Sequence, residues 1–165
     1  MFAELRTKDV IILGCGNILF GDDGFGPAVI ERLEQAGPLP AHAFAEDVGT
    51  SVKQLLVDMA YGDPRPKCVI IVDAVDRPGH LPGDVFEIAP DEIPMNKLSD
   101  FSVHAFPSGN LLKQLKDQHG VDVVILACQV SPLPNEVHQG LSAPAQKAVE
   151  PAVRRILEIV ARYGR

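Results

Sequence analysis

Apolar and polar positions alternate along the chain in blocks. Val10-Ile11-Ile12-Leu13 is a short run rich in β-branched residues and closed by Gly14, which predicts a buried strand over 10–13 rather than an amphipathic helix. Runs of the same kind predict two further buried strands over 68–72 and 121–127, and weaker strand patterns at 42–46 and 84–88 bring the number to about five. Between them the spacing predicts helices over 27–33, 51–61, 104–119 and 143–163, the last with Val149, Val153, Ile156 and Val160 on one face. Residues 77–83 and 89–103 read as loops, the second long enough to carry function. Strand and helix therefore alternate. The fold class expected is α/β, a three-layer α/β/α arrangement whose sheet is mostly parallel and twisted, with about five strands joined by right-handed crossovers.

Composition narrows this picture. With 165 residues, 46% of them hydrophobic, the chain is expected to form one domain over 1–165 with a real core. A net charge of -7 without any Lys/Arg run argues against a nucleic-acid partner, whose binding draws on clustered positive charge. Cys15, Cys68 and Cys128 are odd in number, far apart and set in apolar segments, which suits reduced, buried thiols better than a disulfide or a zinc cage. No segment approaches the roughly 20 consecutive apolar residues of a membrane helix, and 1–9 is too short and too charged for a signal peptide. A cytoplasmic protein with no membrane partner is expected.

The segment Gly14-Cys15-Gly16-Asn17-Ile18-Leu19-Phe20-Gly21-Asp22-Asp23-Gly24-Phe25-Gly26 leaves the first strand and enters the first helix. It invites a dinucleotide-binding reading that fails in detail. Leu19 stands where G-x-G-x-x-G requires its third glycine, and Asp22 and Asp23 would repel a pyrophosphate. Two readings of these acids stay open: Asp23 caps the helix, with Pro27 tolerated in its first turn, or one acid is offered to a metal ion while the other supports it. Asp73 ends the buried run Cys68-Val69-Ile70-Ile71-Val72 at the carboxyl end of a strand, where ligands bind in open α/β sheets. If the first and third strands are neighbours, Asp23 and Asp73 open onto one edge. His104, at the start of a predicted helix, can project over the same edge; His42, His80, His119 and His138 have no comparable placement. Two carboxylates and an imidazole suit a borderline metal such as nickel or zinc. No H-E-x-x-H helix and no G-x-S-x-G elbow is present.

Together these segments resemble the hydrogenase maturation endopeptidases, which process large subunits of nickel-iron hydrogenases. The resemblance runs through Gly14-x-Gly16-Asn17-x-Leu19-x-x-Asp22-Asp23-Gly24-x-Gly26, Asp47-x-Gly49-Thr50, Val72-Asp73-Ala74-Val75-Asp76, His104, and Glu136-Val137-His138-x-Gly140-Leu141-Ser142. Val48 takes the place of the first of two glycines that the family carries after Asp47. The resemblance implies a metal-binding trio of Asp23, Asp73 and His104, with His80 the alternative imidazole and Asp22 the neighbour that supports Asp23. It also implies a protein substrate, the large-subunit precursor, whose C-terminal extension is cut off once nickel is inserted. The nickel then belongs to the substrate and need not be held by the free enzyme. The metal would polarise the scissile carbonyl or activate a water, and Asp22 or Asp47 would orient that water. Rival readings are a non-catalytic nickel-site chaperone, a metal-dependent hydrolase of small molecules, and a nucleotide-binding protein.

Overall fold

A computed structural model describes residues 2–92 and 109–164. Five strands form one sheet: β1 (Val10–Cys15), β2 (Ala43–Gly49), β3 (Cys68–Val75), β4 (Val85–Ile88) and β5 (Asp122–Gln129), in the order β2-β1-β3-β5-β4. β1 pairs in parallel with β2 and β3, and β3 with β5; β4 alone runs antiparallel, closing the edge beside β5. The expected mostly parallel sheet of about five strands is the one observed, and both weakly patterned segments are strands.

The strands are continuous apolar runs because both faces of the sheet are covered. Side chains alternate between two cores. Val10 and Ile12 of β1, with Cys68, Ile70 and Val72 of β3, meet the helices α2 (Phe25–Gln35) and α5 (Ala143–Ala161) on one face. Ile11, Leu13 and Cys15, with Val69, Ile71 and Val75, meet α3 (Val52–Tyr61) and α4 (Gly109–His119) on the other. The predicted stripe of α5, Val149, Val153, Ile156 and Val160, is buried throughout.

Helix boundaries differ from the sequence expectation by one or two residues at several ends, α5 closing at Ala161 rather than 163, and the start of the first long helix bears on the site. The first long helix begins at Phe25 rather than 27 and follows a 3-10 turn at Gly21–Gly24. Pro27 is tolerated because the N–H groups of a first turn have no partner within the helix. A short N-terminal helix α1 (Phe2–Leu5), carrying no periodic signal, anchors Leu5 in the second core. The predicted start of α4 at 104 lies outside the described residues.

The order β2-β1-β3 decides where the site lies. From β1 the chain passes through α2 to β2 on one side, and β3 lies on the other, with α2 and α3 on opposite faces. The carboxyl ends of β1 and β3 thus flank a topological switch point, the crevice where open α/β sheets bind ligands.

Candidate functional site

The loop leaving β1 is tied down by its own short hydrogen bonds. Asn17 N donates to the Asp23 side-chain Oδ2 and to the Asp23 carbonyl, both at 3.1 Å. Asn17 Oδ1 accepts from Leu19 N at 3.0 Å, and Gly16 N donates to the Gly49 carbonyl at 2.9 Å, tying the loop to the end of β2. Asp23 is fully buried. It does not cap α2, whose N-cap is Gly24 and receives no side-chain hydrogen bond, so the capping reading is set aside. The carboxylate turns back into the loop instead.

Close approach requires Gly26. A Cβ there would lie 2.2 Å from the Cys15 carbonyl oxygen, 2.6 Å from Cys15 N and 2.6 Å from the Val72 carbonyl oxygen. Without a side chain, the first turn of α2 sits directly on the ends of β1 and β3, and the 3-10 turn bearing Asp23 packs against β3.

Asp73 belongs to the same place. Pairing of β1 with β3 ends at Gly14 and Val72, so Asp73 is the first residue of β3 beyond it, while it remains paired with Ala127 of β5. The side chain is buried, and its Oδ1 accepts from Ala74 N at 2.8 Å. The condition on which one shared edge depended, that the first and third strands be neighbours, is met. Burial, reinforced by the Asp73 and Asp47 carboxylates, pushes the neighbouring Cys15 thiol well above its ordinary pKa. A thiol so held is protonated and is no nucleophile at neutral pH. Cys68 and Cys128 are likewise buried and free, as the sequence suggested, their pKa values raised chiefly by burial to about 11 and about 12.

Asp47 stands exposed at the end of β2, its Oδ1 accepting from Gly49 N at 2.9 Å. Gly49 takes the left-handed conformation (φ +55°), and no non-glycine among the described residues has a positive φ. The glycine lost at Val48 is thus not needed there. Val48 sits at the irregularity between the Gly14–Asp47 and Cys15–Gly49 pairs and packs against the α3 side of the core. A depression of about 270 Å³ opens here between Gly16, Asn17, Pro27, Asp47 and Thr50.

Asp22 has a different surrounding. Its Oδ1 accepts from Ser142 N at 2.7 Å, and its Oδ2 from Ser131 N at 2.9 Å and Ser142 Oγ at 2.8 Å. Ser142 is also the N-cap of α5, accepting from Ala145 N at 3.4 Å. One buried carboxylate therefore fastens both ends of the 131–142 segment to the β1 loop. An Asp in a glycine-rich loop gives no hint of partners more than a hundred residues away. For Ser142, the Ser-Ala-Pro start of α5 was the readable signal. Gln129, also unmarked in the sequence, is buried; its Nε2 donates to Asp76 at 2.9 Å and its Oε1 accepts from Arg77 N at 2.9 Å.

Among the described residues no group of three or more His, Cys, Asp or Glu is gathered to hold a metal. His104 lies outside the described residues. His80 is not drawn to Asp23 and Asp73: it stacks on Phe86 (centroids 3.7 Å apart) and lies 3.8 Å from an Asp84 oxygen. The alternative imidazole is corrected on that ground, because a ring clamped on Phe86 beside the edge strand serves packing. A roomier cavity, about 600 Å³, lies at the opposite end of β5, where Lys116 pairs with Asp91, Arg155 with Glu87, Glu92 with Arg77, and Asp122 accepts from Tyr163.

Comparison with known proteins gives a consistent result. A family model described as hydrogenase maturation protease matches residues 27–159. A candidate hydrogenase maturation protease of Methanocaldococcus jannaschii is 38% identical, covering 93% of this chain and 97% of its own. The hydrogenase 2 maturation protease of Escherichia coli is 30% identical, covering 94% and 92%. The solved hydrogenase maturating endopeptidase HybD of E. coli superposes with a TM-score of 0.73 at 27% identity, over 94% of this chain and 93% of that one.

Proposed function

The chain belongs to the hydrogenase maturation protease family and is a hydrolase of that kind, and from this premise we propose that it removes the C-terminal extension of a nickel-iron hydrogenase large-subunit precursor by a single endoproteolytic cut, recognising the nickel already carried by that precursor through Asp23, Asp73 and His104. What supports this reading is the placement of two buried carboxylates at the carboxyl ends of neighbouring strands, Asp73 just past the β1–β3 pairing and Asp23 in the turn that follows β1, at the switch point between β1 and β3. A cation delivered by the substrate would be attracted to carboxylates placed at this crevice. Carboxylate oxygens with one imidazole suit a borderline divalent ion such as nickel.

Hydrolysis adds water across the scissile amide. The attacking oxygen bonds to the carbonyl carbon, the C–N bond breaks, and the leaving nitrogen takes up a proton. The substrate's nickel would polarise the carbonyl or acidify the attacking water. Asp47, exposed at the rim beside the β1 loop, is the acid suited to accept the water's proton. Asp22, engaged with Ser131 and Ser142, holds the loop that presents Asp23. No helix among the described residues is long and apolar enough to cross a membrane, and we place the reaction in the cytoplasm, where the thiols stay reduced.

Mass spectrometry of a nickel-loaded precursor, incubated with wild-type protein or with Asp23→Asn, Asp73→Asn or His104→Ala, tests the proposal. Loss of the C-terminal peptide with wild type alone is expected. A precursor that binds in a nickel-dependent way yet keeps its length would make the protein a chaperone instead. Equal cutting of nickel-free precursor would remove the metal-reading role of the trio.

A further inference from the structure

The depression beside Asp47 does not end there. It runs into a second one of about 460 Å³ between α2 and Gly140-Leu141, and Ile18, Pro27 and Asp47 line both. The result is one trough leading from the carboxyl ends of β1 and β2 along α2. Glu31 and Glu34, one helical turn apart on α2 and exposed, line its outer part, and neither is in an ion pair among the described residues. With Asp47 they give the trough three carboxylates, while no Lys, Arg or His lines either part.

Its rim is apolar. The described core residues leave six large hydrophobic side chains exposed, and three of them, Ile18 (54%), Leu19 (38%) and Val137 (64%), belong to this edge. They are held there by backbone. Phe20 and His138 form an isolated parallel bridge, in which His138 N donates to the Leu19 carbonyl and Gly21 N to the His138 carbonyl, both at 2.8 Å. Single exposed aliphatics are ordinary on a protein surface; here Ile18 lines both parts of the trough, and the bridge fixes Leu19 and Val137 on the same two backbone segments that carry Gly21 and Gly140 into its wall.

We infer that this trough receives an extended segment of the precursor polypeptide carrying a Lys or Arg beside apolar side chains, the cation set against Glu31, Glu34 and Asp47 and the apolar groups against Ile18, Leu19 and Val137. The inference rests on the proteolytic reading of the adjoining site, with which the trough is continuous through Asp47. Charge selects the occupant. A second copy of this chain, at net charge -7, would bring acid to acid, and a nucleic acid would be repelled in the same way. A cationic, partly apolar peptide matches both the walls and the rim.

The test measures binding of nickel-loaded precursor, together with KM and kcat for its cleavage, for four proteins: wild type, Glu31→Lys/Glu34→Lys, Ile18→Ser/Val137→Ser, and Asp58→Lys/Asp117→Lys on the far helices α3 and α4. The far pair changes net charge by the same amount as the trough pair. Ile18, Glu31, Glu34, Asp117 and Val137 are exposed and Asp58 is half-buried on α3, where it accepts from Gln54 Nε2; lysines in the last turns of α2 favour the helix dipole, and folding of every variant is checked by circular dichroism and thermal melting. At low salt the trough charge reversal should raise Kd and KM roughly tenfold with kcat little changed, the loss shrinking as salt screens it. The rim pair should raise Kd without that salt dependence. The far pair should stay near wild type. Trough variants that bind as wild type does, or a far pair that weakens binding equally, would overturn the inference. Should the precursor bind wild type, lose binding to the trough variants and never be cut, the proteolytic reading would fall while the trough assignment stood.

Discussion

Removing the Asp22 carboxylate should weaken the whole domain, and the structure sets the size of the effect. Asp22 is 4% exposed and accepts three hydrogen bonds, two from Ser142 and one from Ser131. Hydrogen bonds to a charged group contribute about 1.5–3 kcal/mol each when deleted singly. Three on one carboxylate do not add fully, because removing the acid also removes the desolvation cost of burying it. The two serines are only partly buried, so water recovers some of the loss. A net cost of about 3 kcal/mol for Asp22→Ala follows, a large share of the roughly 5–15 kcal/mol that stabilises a domain. For a chain of this length it corresponds to a fall in Tm of about 6–12 °C. Asp22→Asn should be intermediate, because its amide can accept through one oxygen only and turns an N–H toward a donor. Urea titration with a double-mutant cycle against Ser142→Ala checks this, with a coupling of at least about 1 kcal/mol expected. A loss below about 1 kcal/mol, or purely additive single and double variants, would refute the view that Asp22 fastens the 131–142 segment.

Gly26→Ala should be worse, about 3 kcal/mol or more, since the new methyl meets backbone of two strands within 2.6 Å and neither can yield; soluble yield and thermal melting report it. Gln129→Ala should cost about 1–2 kcal/mol and raise amide exchange at Arg77, whose N–H loses its acceptor. The thiols predict an alkaline effect. Cys68 titrates near 9.0 when unfolded and near 11 when folded, so above pH 9 the unfolded chain gives up a proton that the folded one keeps. Stability should therefore fall between about pH 9 and 11, and Cys68→Ala should flatten that slope in urea melts. In the native protein at pH 7.5 none of the three cysteines should react with iodoacetamide on the timescale that labels the urea-unfolded chain; rapid native labelling of Cys15 would contradict its burial beside Asp73.

Legibility in the sequence varied with the range of the interaction concerned. The buried strands, the α5 stripe and the loop with Asp22 and Asp23 were readable, because burial on both faces of a strand or along one face of a helix leaves a local repeat of apolar side chains. Asp73 was readable for the same reason, as a lone acid ending an apolar run. Whether β1 and β3 lie side by side was not, since strand order depends on pairings between residues tens of positions apart that leave no local period; it is this order that brings Asp23 and Asp73 to one crevice. The antiparallel direction of β4 and the clamping of His80 on Phe86 were settled likewise. Asp22 shows the limit most plainly. Its type and loop position suggested chemistry or support, but its partners, Ser131 and Ser142, lie 109 and 120 residues away, and only the folded chain, which must satisfy every buried charge, brings them to it.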